Sequence, residues 1–208
     1  MDLKQIYDNV IDGQMVDVEN GVQAALSAGI GADIILKDGL IAAMDEVGRR
    51  YEDGDFFVPE MLISARAMQA GLQHLKPHLV HGEVRTAGRI AIGTVKGDLH
   101  DIGKNLVAMM LEGAGFEIMD LGVDVSPQAF VDAVQEGAQI IGMSALLTTT
   151  MGNMAGTIEA LKTSGLRNKV KVMIGGAPVT EEFAKRIGAD AFAPDASSAT
   201  RIARQLAG

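Results

Sequence analysis

The chain has 208 residues, 48% of them apolar and only 4% aromatic, so its core is aliphatic and large enough for one big domain or two small ones. A formal net charge of −9 argues against nucleic-acid binding. The absence of cysteine excludes disulfides, thiolate nucleophiles and thiolate-ligated zinc or iron–sulfur sites, and it suits a reducing compartment.

No basic and apolar signal segment follows Met1, and no apolar run approaches the length of a membrane span. The expectation is a cytoplasmic protein with no membrane and no nucleic-acid partner. The acidity is uneven. Residues 1–88 carry 14 acidic and 7 basic groups, whereas residues 89–208 carry 13 and 11. The chain therefore divides into halves of different character, the first with a solvated acidic surface or a surface for basic partners.

The first half reads as helical. Leu3, Ile6, Tyr7, Val10 and Ile11 share one face of a short helix, and Val18, Val22 and Ala25 mark a second. A third carries Leu40, Met44, Val47 and Tyr51 and ends at the acidic segment 52–55. Pro59 suits the first turn of a fourth, with Met61, Ala65, Met68, Leu72 and Leu75 on its apolar side. Short connections make this a four-helix bundle over residues 1–76. Periodicity stops near Lys76-Pro77-His78, and residues 77–88 read as a linker.

The second half, 89–208, alternates strands and helices. Strands are expected at Arg89–Val95, Phe116–Asp120, Gln139–Ser144, Val170–Ile174 and Ala191–Ala193. Helices are expected at Lys104–Glu112, Pro127–Glu136, Thr150–Lys162, Thr180–Ile187 and Ala196–Leu206. Strict alternation predicts a five-stranded parallel, doubly wound sheet of flavodoxin-like (Rossmann) type. The common strand order for such a sheet is 2-1-3-4-5, with the ligand beyond the carboxyl ends of strands 1 and 3. Those ends are Gly97–Gly103 and Ser144–Thr148.

Gly97-Asp98-Leu99-His100-Asp101-Ile102-Gly103 is the segment richest in chemistry. The i, i+2 spacing of Asp98 and His100 lets the carboxylate hold one imidazole nitrogen while the other faces a metal. His74, His78 and His81 have no such setting and read as ordinary polar residues. Ser144 lacks the Gly-x-Ser-x-Gly elbow of a hydrolase. Gly93, Gly97 and Gly103 do not have the Gly-x-Gly-x-x-Gly spacing of a nucleotide-binding loop. Gly175-Gly176 marks either a tight turn or a close approach to a ligand. Gly152 and Gly156, one helical turn apart, either flatten a face against a ligand or pack on the sheet. The twelve methionines form no cluster and read as core filling.

Three of these segments together, Asp98-Leu99-His100-Asp101-Ile102-Gly103, Ser144-Ala145-Leu146 and Gly175-Gly176, resemble the Asp-x-His-x-x-Gly, Ser-x-Leu, Gly-Gly signature of cobalamin-binding domains. The segment Gly48–Ser64, with Phe-Val-Pro at 57–59, resembles the helical cap of cobalamin-dependent methionine synthase. The resemblance covers nearly the whole chain. It implies a free-standing corrinoid protein of the multicomponent methyltransferases of methylotrophic methanogens and acetogenic anaerobes, serving methylamines, betaines or methoxylated compounds.

By that resemblance His100 is the lower axial ligand of cobalt, in place of the cofactor's own benzimidazole. The cobalamin is base-off, and it is methylcobalamin in the charged state. Asp98 holds the other imidazole nitrogen, and Ser144 extends this relay. Gly97, Leu99, Asp101, Ile102 and Gly103 complete the loop. The nucleotide tail passes Ser144, Leu146, Thr148 and the Gly175-Gly176 turn. Tyr51 and Val58 align with the bulky cap residues over the upper corrin face, a phenylalanine and a leucine in methionine synthase. The segment 77–88 then serves as the hinge that lets the cap swing away.

The chain is too short to include a barrel methyltransferase and is not catalytic alone. The implied partners are a substrate-specific methyltransferase, an acceptor methyltransferase of tetrahydrofolate or coenzyme M type, and a reductive activase. Two other classes use similar domains. A cobalamin-dependent sensor needs an output such as a basic helix-turn-helix, and none is visible. A carbon-skeleton mutase subunit does not account for the cap match.

Overall fold

The computed structural model describes residues 2–79 and 87–208. The chain divides into two compact units, one of Met1–Arg85 with Glu112–Gly115 and the other of Thr86–Leu111 with Phe116–Gly208.

Among its described residues the first unit has helices and no strand. It contains α1 (Leu3–Ile11), α2 (Met15–Ser27), α3 (Ala32–Ile34), a π-helical turn at Ile35–Ile41, α4 (Ala42–Glu52) and α5 (Val58–Leu79). Since α3, the π segment and α4 are contiguous, four rods form the bundle, as the periodicity predicts. Asp2 caps α1 in a capping box with Gln5. Ile6, Val10, Val18, Val22, Leu40, Met44, Met61, Met68 and Leu75 are buried in the core. Gly71 is required for that packing. A Cβ there would lie 2.8 Å from Val18 Cγ1 and 3.3 Å from Leu40 Cδ2, so α5 crosses α2 more closely than any side chain permits.

Two helical details differ from the sequence expectation. The third rod begins at Ala32 rather than near Leu40, because its first turns carry the π segment that simple periodicity does not register. The fourth continues through Pro77 to Leu79 instead of stopping at Lys76. Proline deletes one donor, but Gln73, whose carbonyl loses its partner, is on the exposed side of the helix, where water substitutes. His78 is exposed, and His74 Nδ1 is 3.2 Å from Gln23 Nε2, the ordinary polar contact expected of it. His81 and most of the expected linker lie outside the described residues.

The second unit contains β1 (Arg89–Thr94), α6 (Ile102–Gly113), β2 (Glu117–Asp120), α7 (Pro127–Gln135), β3 (Ile140–Ser144), α8 (Gly152–Thr163), a 3-10 turn at Arg167–Lys169, β4 (Lys171–Gly175), α9 (Glu181–Ile187), β5 (Ala191–Ala193) and α10 (Ala196–Ala207). All strand pairs are parallel, in the expected order β2-β1-β3-β4-β5. Ser126, Thr180 and Asp195 cap α7, α9 and α10 with side-chain oxygens, which fixes where each helix leaves its strand.

The two faces of the sheet are filled differently. One carries a large aliphatic cluster of Ile141, Val172, Ile174, Phe130, Ile158 and Leu161, all nearly inaccessible. The other carries Ile90, Ile92 and Ile140 and, toward β5, Met173, Ala193 and Ala199, with Val107, Ile202 and Leu206 packed against them. Gly142, Ala193 and Ala199 leave space on this face at the strand ends. Among the described residues no helix is long and apolar enough to cross a membrane.

Glu46 forms a fork with two arginines on α4, accepting from Arg49 Nε at 2.8 Å and from Arg50 Nε at 2.8 Å. The hydrogen bonds from Arg49, then Arg50, hold its carboxyl down to about 2. A depressed folded value means stability that is complete above the ordinary carboxylate pKa, about 4.3, and is lost as the pH falls toward the folded value. The arginines are partly exposed, so the contribution is small, on the order of 1 kcal/mol. Glu46→Gln should lower the thermal midpoint of the full chain slightly at pH 7, followed by circular dichroism. The difference from wild type should shrink as the pH falls from about 4.3 toward 2; a constant difference would show that the fork is not the cause.

Candidate functional site

The loop from Val95 to Asp101 follows β1 at the point where the strand order reverses, so it and the turn after β3 face each other across the sheet's carboxyl edge. Asp98 lies between them, fully buried. Its Oδ1 accepts from the His100 amide at 3.1 Å and faces His100 Nδ1 at 2.8 Å. Its Oδ2 accepts from the Leu146 amide at 2.8 Å, the Leu147 amide at 3.2 Å and the Thr150 hydroxyl at 2.7 Å.

Burial alone pushes the Asp98 carboxyl up. The hydrogen bonds from Thr150, the His100 ring, the Leu146 amide and the His100 amide outweigh it and hold the group well below the usual carboxylate range. Asp98 is therefore an anion at any physiological pH. An anion beside Nδ1 takes that nitrogen's proton as a hydrogen-bond donor, so Nε2 carries the free lone pair. Whereas Asp98 is inaccessible, the His100 side chain is 52% exposed. The result is an available ring nitrogen on a rigid, charged anchor.

Thr150 is a partner of Asp98 that sequence reasoning missed. It occupies the place expected of Ser144 as the partner of Asp98. Ser144 is the last residue of β3, its carbonyl accepts from the Val95 amide at 3.0 Å, and it lines the adjacent cavity; the hydroxyl on Asp98 comes from one turn further on. The threonine run at 148–150 is the sequence signal. Which of its members turns inward depends on the turn after β3, where the Thr150 amide donates to the Leu147 carbonyl at 3.1 Å.

Beside His100 a cavity of about 520 Å³ opens between the strand ends, α6 and α10. Leu99, His100, Asp101, Ile102 and Gly103 form one wall, and Ser144, Ala145, Leu146, Gly175 and Gly176 another. Gly142, Met173, Ala193 and Ala199 make its floor. Gly97 and Asp98 brace the loop from behind, and Thr148 sits on the exposed turn; none of the three lines the cavity. Lys104, which the sequence does not single out, also lines it, buried and held by Asp120 at 2.6 Å and 2.7 Å.

The glycines separate into two kinds. A Cβ on Gly176 would come within 2.0 Å of the Ala145 carbonyl oxygen, and its φ is +121°; one on Gly175 would be 2.8 Å from the Ala193 oxygen. These two are glycine because neighbouring strand ends leave no room, whatever lies in the cavity. Gly103 meets nothing within 4 Å and fronts the cavity. Gly152 and Gly156 likewise meet nothing within 4 Å and are exposed, so packing on the sheet does not explain them.

Tyr51 and Val58 belong to the helical unit. Tyr51 is half-buried in the last turn of α4, and Val58, the first residue of α5, is 41% exposed, so neither is bundle core. In the same stretch of chain, Arg50 stacks its guanidinium on the Phe56 ring at 5.2 Å.

The donor set tests which cofactor fits. Among the described residues no three metal-ligating side chains converge, so His100 is a single protein donor. One imidazole suits a metal whose equatorial positions are already filled by a macrocycle. Around it Leu99, Ile102, Leu146 and Leu147 are 42–87% exposed, a large apolar rim for a soluble face. The adjoining slot, about 520 Å³ with Gly142, Ala193 and Ala199 on its floor, has room for an extended appendage. A corrinoid with its lower base displaced meets all three conditions.

Residues 88–203 match the family described as B12 binding domain, and residues 2–76 match a second family of the same description. Dimethylamine corrinoid protein 3 of Methanosarcina acetivorans is 42% identical over 205 residues, covering 98% of this chain and 96% of its own. Among solved structures, a cobalamin-binding protein from Desulfitobacterium hafniense is similar with a TM-score of 0.82 and 34% identity, both chains being covered completely. The methanol:cobalamin methyltransferase complex of Methanosarcina barkeri includes a chain with a TM-score of 0.89 and 30% identity, covering 99% of this chain and 79% of that one. A buried carboxylate aiming one imidazole over a slot, at the topological switch point of a parallel sheet, thus coincides with likeness along the whole chain: the protein belongs to the cobalamin-binding corrinoid proteins.

Proposed function

We propose that this chain is the methyl carrier of a multicomponent methyltransferase system and holds its corrinoid base-off, with His100 Nε2 as the lower ligand. The observation that carries the reading is the Asp98–His100 pair, an exposed imidazole bound through Nδ1 to a buried, ionised carboxylate. When bound, the cobalt of the corrin supplies the chemistry of accepting and releasing a methyl group.

The chain's own residues supply the rest. Asp98 fixes the imidazole tautomer and orientation, so Nε2 presents its lone pair without a search. The carboxylate 2.8 Å from Nδ1 would keep the ring in that orientation whether or not a metal occupied Nε2. Leu99, Ile102, Leu146 and Leu147 keep water from the face around the ligand. The slot past Ser144, Leu146 and Gly175-Gly176 takes the displaced tail, with Gly103 leaving it clearance. Tyr51 and Val58 are assigned to the upper corrin face.

The methyl donor class we assign is a methylamine, on the strength of the dimethylamine corrinoid relative. A substrate-specific methyltransferase loads the carrier, an acceptor methyltransferase of tetrahydrofolate or coenzyme M type unloads it, and a reductive activase restores the reduced form. All act in the cytoplasm, where a chain without cysteine is at no disadvantage.

Protein reconstituted with cobalamin should show nitrogen hyperfine coupling from the axial imidazole in the EPR spectrum of its cobalt(II) form. His100→Ala should lose that coupling and shift the absorption spectrum toward the unligated form. Persistence of the coupling in the variant would sink the ligand assignment. The two kinds of glycine should also behave differently. Gly176→Ala should destabilise the apoprotein by about 3 kcal/mol or more, since backbone must move. Gly103→Ala should leave the thermal midpoint within a degree or two but weaken cobalamin binding, by about ten-fold, in a fluorescence or dialysis titration. Equal cobalamin affinity in Gly103→Ala and wild type would remove that wall from the binding site.

A further inference from the structure

The loop bearing His100 is gripped on its outer side by one residue with an unusual backbone. Asp124, in the connection between β2 and α7, has φ +54° and is the single non-glycine in the left-handed region among the described residues. A side chain there costs about 1 kcal/mol, less for Asp than for most, so the conformation persists only where surrounding contacts impose it.

Those contacts all lead to the His100 loop. Asp124 Oδ1 accepts the Gly97 amide at 2.7 Å, and Oδ2 accepts from Lys96 Nζ at 3.0 Å. The Asp124 amide in turn donates to the Asp98 carbonyl at 3.0 Å. One residue therefore holds both peptide groups that flank the start of the Asp98 segment, and Gly97 between them sits at φ +81°. The hydrogen bond from Gly97, then that from Lys96, keeps the Asp124 carboxyl below its ordinary value, so it remains an acceptor. The next residue anchors the clamp. Val125 is buried, pairs with Val95 as a parallel bridge, and donates its amide to the Thr94 carbonyl at 2.9 Å.

We infer that Asp124 is a positioning residue for the axial imidazole: it sets the entry angle of the Gly97–Asp98 peptide and so the direction in which Asp98 aims His100. The argument rests on His100 serving as the cobalt ligand. Asp98 is tied to the β3 turn through its side chain and to the Val95 carbonyl through its amide at 3.1 Å, which leaves its carbonyl and the Gly97 amide to be fixed. The Asp124 clamp holds both. Nothing in the clamp touches the cavity, so its effect reaches the cofactor only through the aim of His100.

Asp124→Ala deletes the acceptor and keeps the strained φ. Asp124→Asn keeps an acceptor oxygen and tolerates the left-handed backbone. Asp124→Gly relieves the φ but still lacks the acceptor. In the apoprotein, Asp124→Ala and Asp124→Gly should speed hydrogen exchange of the Gly97 amide and shift the His100 ring nitrogen resonances, with Asn close to wild type. In cobalamin-loaded protein, Ala and Gly should raise the fraction lacking imidazole nitrogen coupling about five-fold, and Asn should rescue it. Wild-type coupling and wild-type His100 resonances in both Ala and Gly variants would overturn the inference. His100→Ala measured alongside separates the two readings: if it leaves the coupling unchanged, ligation by His100 fails; if it abolishes the coupling while the Ala and Gly variants retain it fully, only the Asp124 role fails. Should Asp124→Ala not fold, Asp124→Gly decides the matter by itself.

Discussion

A carboxylate buried to zero exposure is the constraint around which the α/β unit is organised. Removing an ionised group from water costs several kcal/mol unless donors replace its hydration. Asp98 receives five: two backbone amides and a hydroxyl from the turn after β3, and an amide and a ring nitrogen from its own loop. Because they come from both sides of the switch point, the charge staples together the two strand ends between which a doubly wound sheet binds its ligand. The folded loop and the aimed imidazole are consequences of one desolvation problem with one geometric solution.

The cavity follows from a second constraint, the placement of small side chains. On the face opposite the main aliphatic cluster, Gly142, Ala193 and Ala199 decline to fill the space between sheet and helices. At the rim, Gly175 and Gly176 let the ends of β3, β4 and β5 approach backbone to backbone. The slot therefore needs no flexible element to open it, because close strand ends and short side chains leave it preformed. Large exposed side chains cluster instead around His100, where Ile102 is 87% and Leu99 is 70% accessible. Apolar surface of that size in a chain of net charge −9 is explained by a flat hydrophobic partner, and a corrin is one.

What the sequence reveals depends on how local the determinant is. Strand and helix alternation fixes the strand order through a topology rule, and that order alone sends His100 to the ligand crevice. Asp98 and His100 are two residues apart, so their pairing is legible too. The hydroxyl on Asp98 is not, because Ser144 and Thr150 are both plausible until the 146–150 turn decides which one points inward. The glycine pair at the end of β4 reads in the sequence as a ligand approach or a tight turn; only the positions of Ala145 and Ala193 reveal that neighbouring backbone requires it. Pro77 punctuates the sequence more strongly than the helix, since a lost donor on an exposed face costs little. The left-handed backbone at Asp124 has no sequence signature beyond a residue type that tolerates it.

The contrast in exposure within the Asp98–His100 pair bears on how a carrier can cycle. A ligand that must leave and rejoin its metal many times cannot also be a structural keystone, or each departure would loosen the fold. Here the duties are divided. His100 is half exposed and contributes one of the five donors through its ring, while the other four belong to groups that do not move with the imidazole. The ring can therefore swing while Asp98 keeps four donors, and the Thr94 hydroxyl still holds the His100 carbonyl at 3.0 Å. In the axial role proposed for His100, releasing the ring would cost only its own contact with Asp98, so the equilibrium between ligated and free imidazole would lie within reach of the differences between the metal's states. An exposed donor on a buried, over-determined anchor is the arrangement that reversible axial ligation requires.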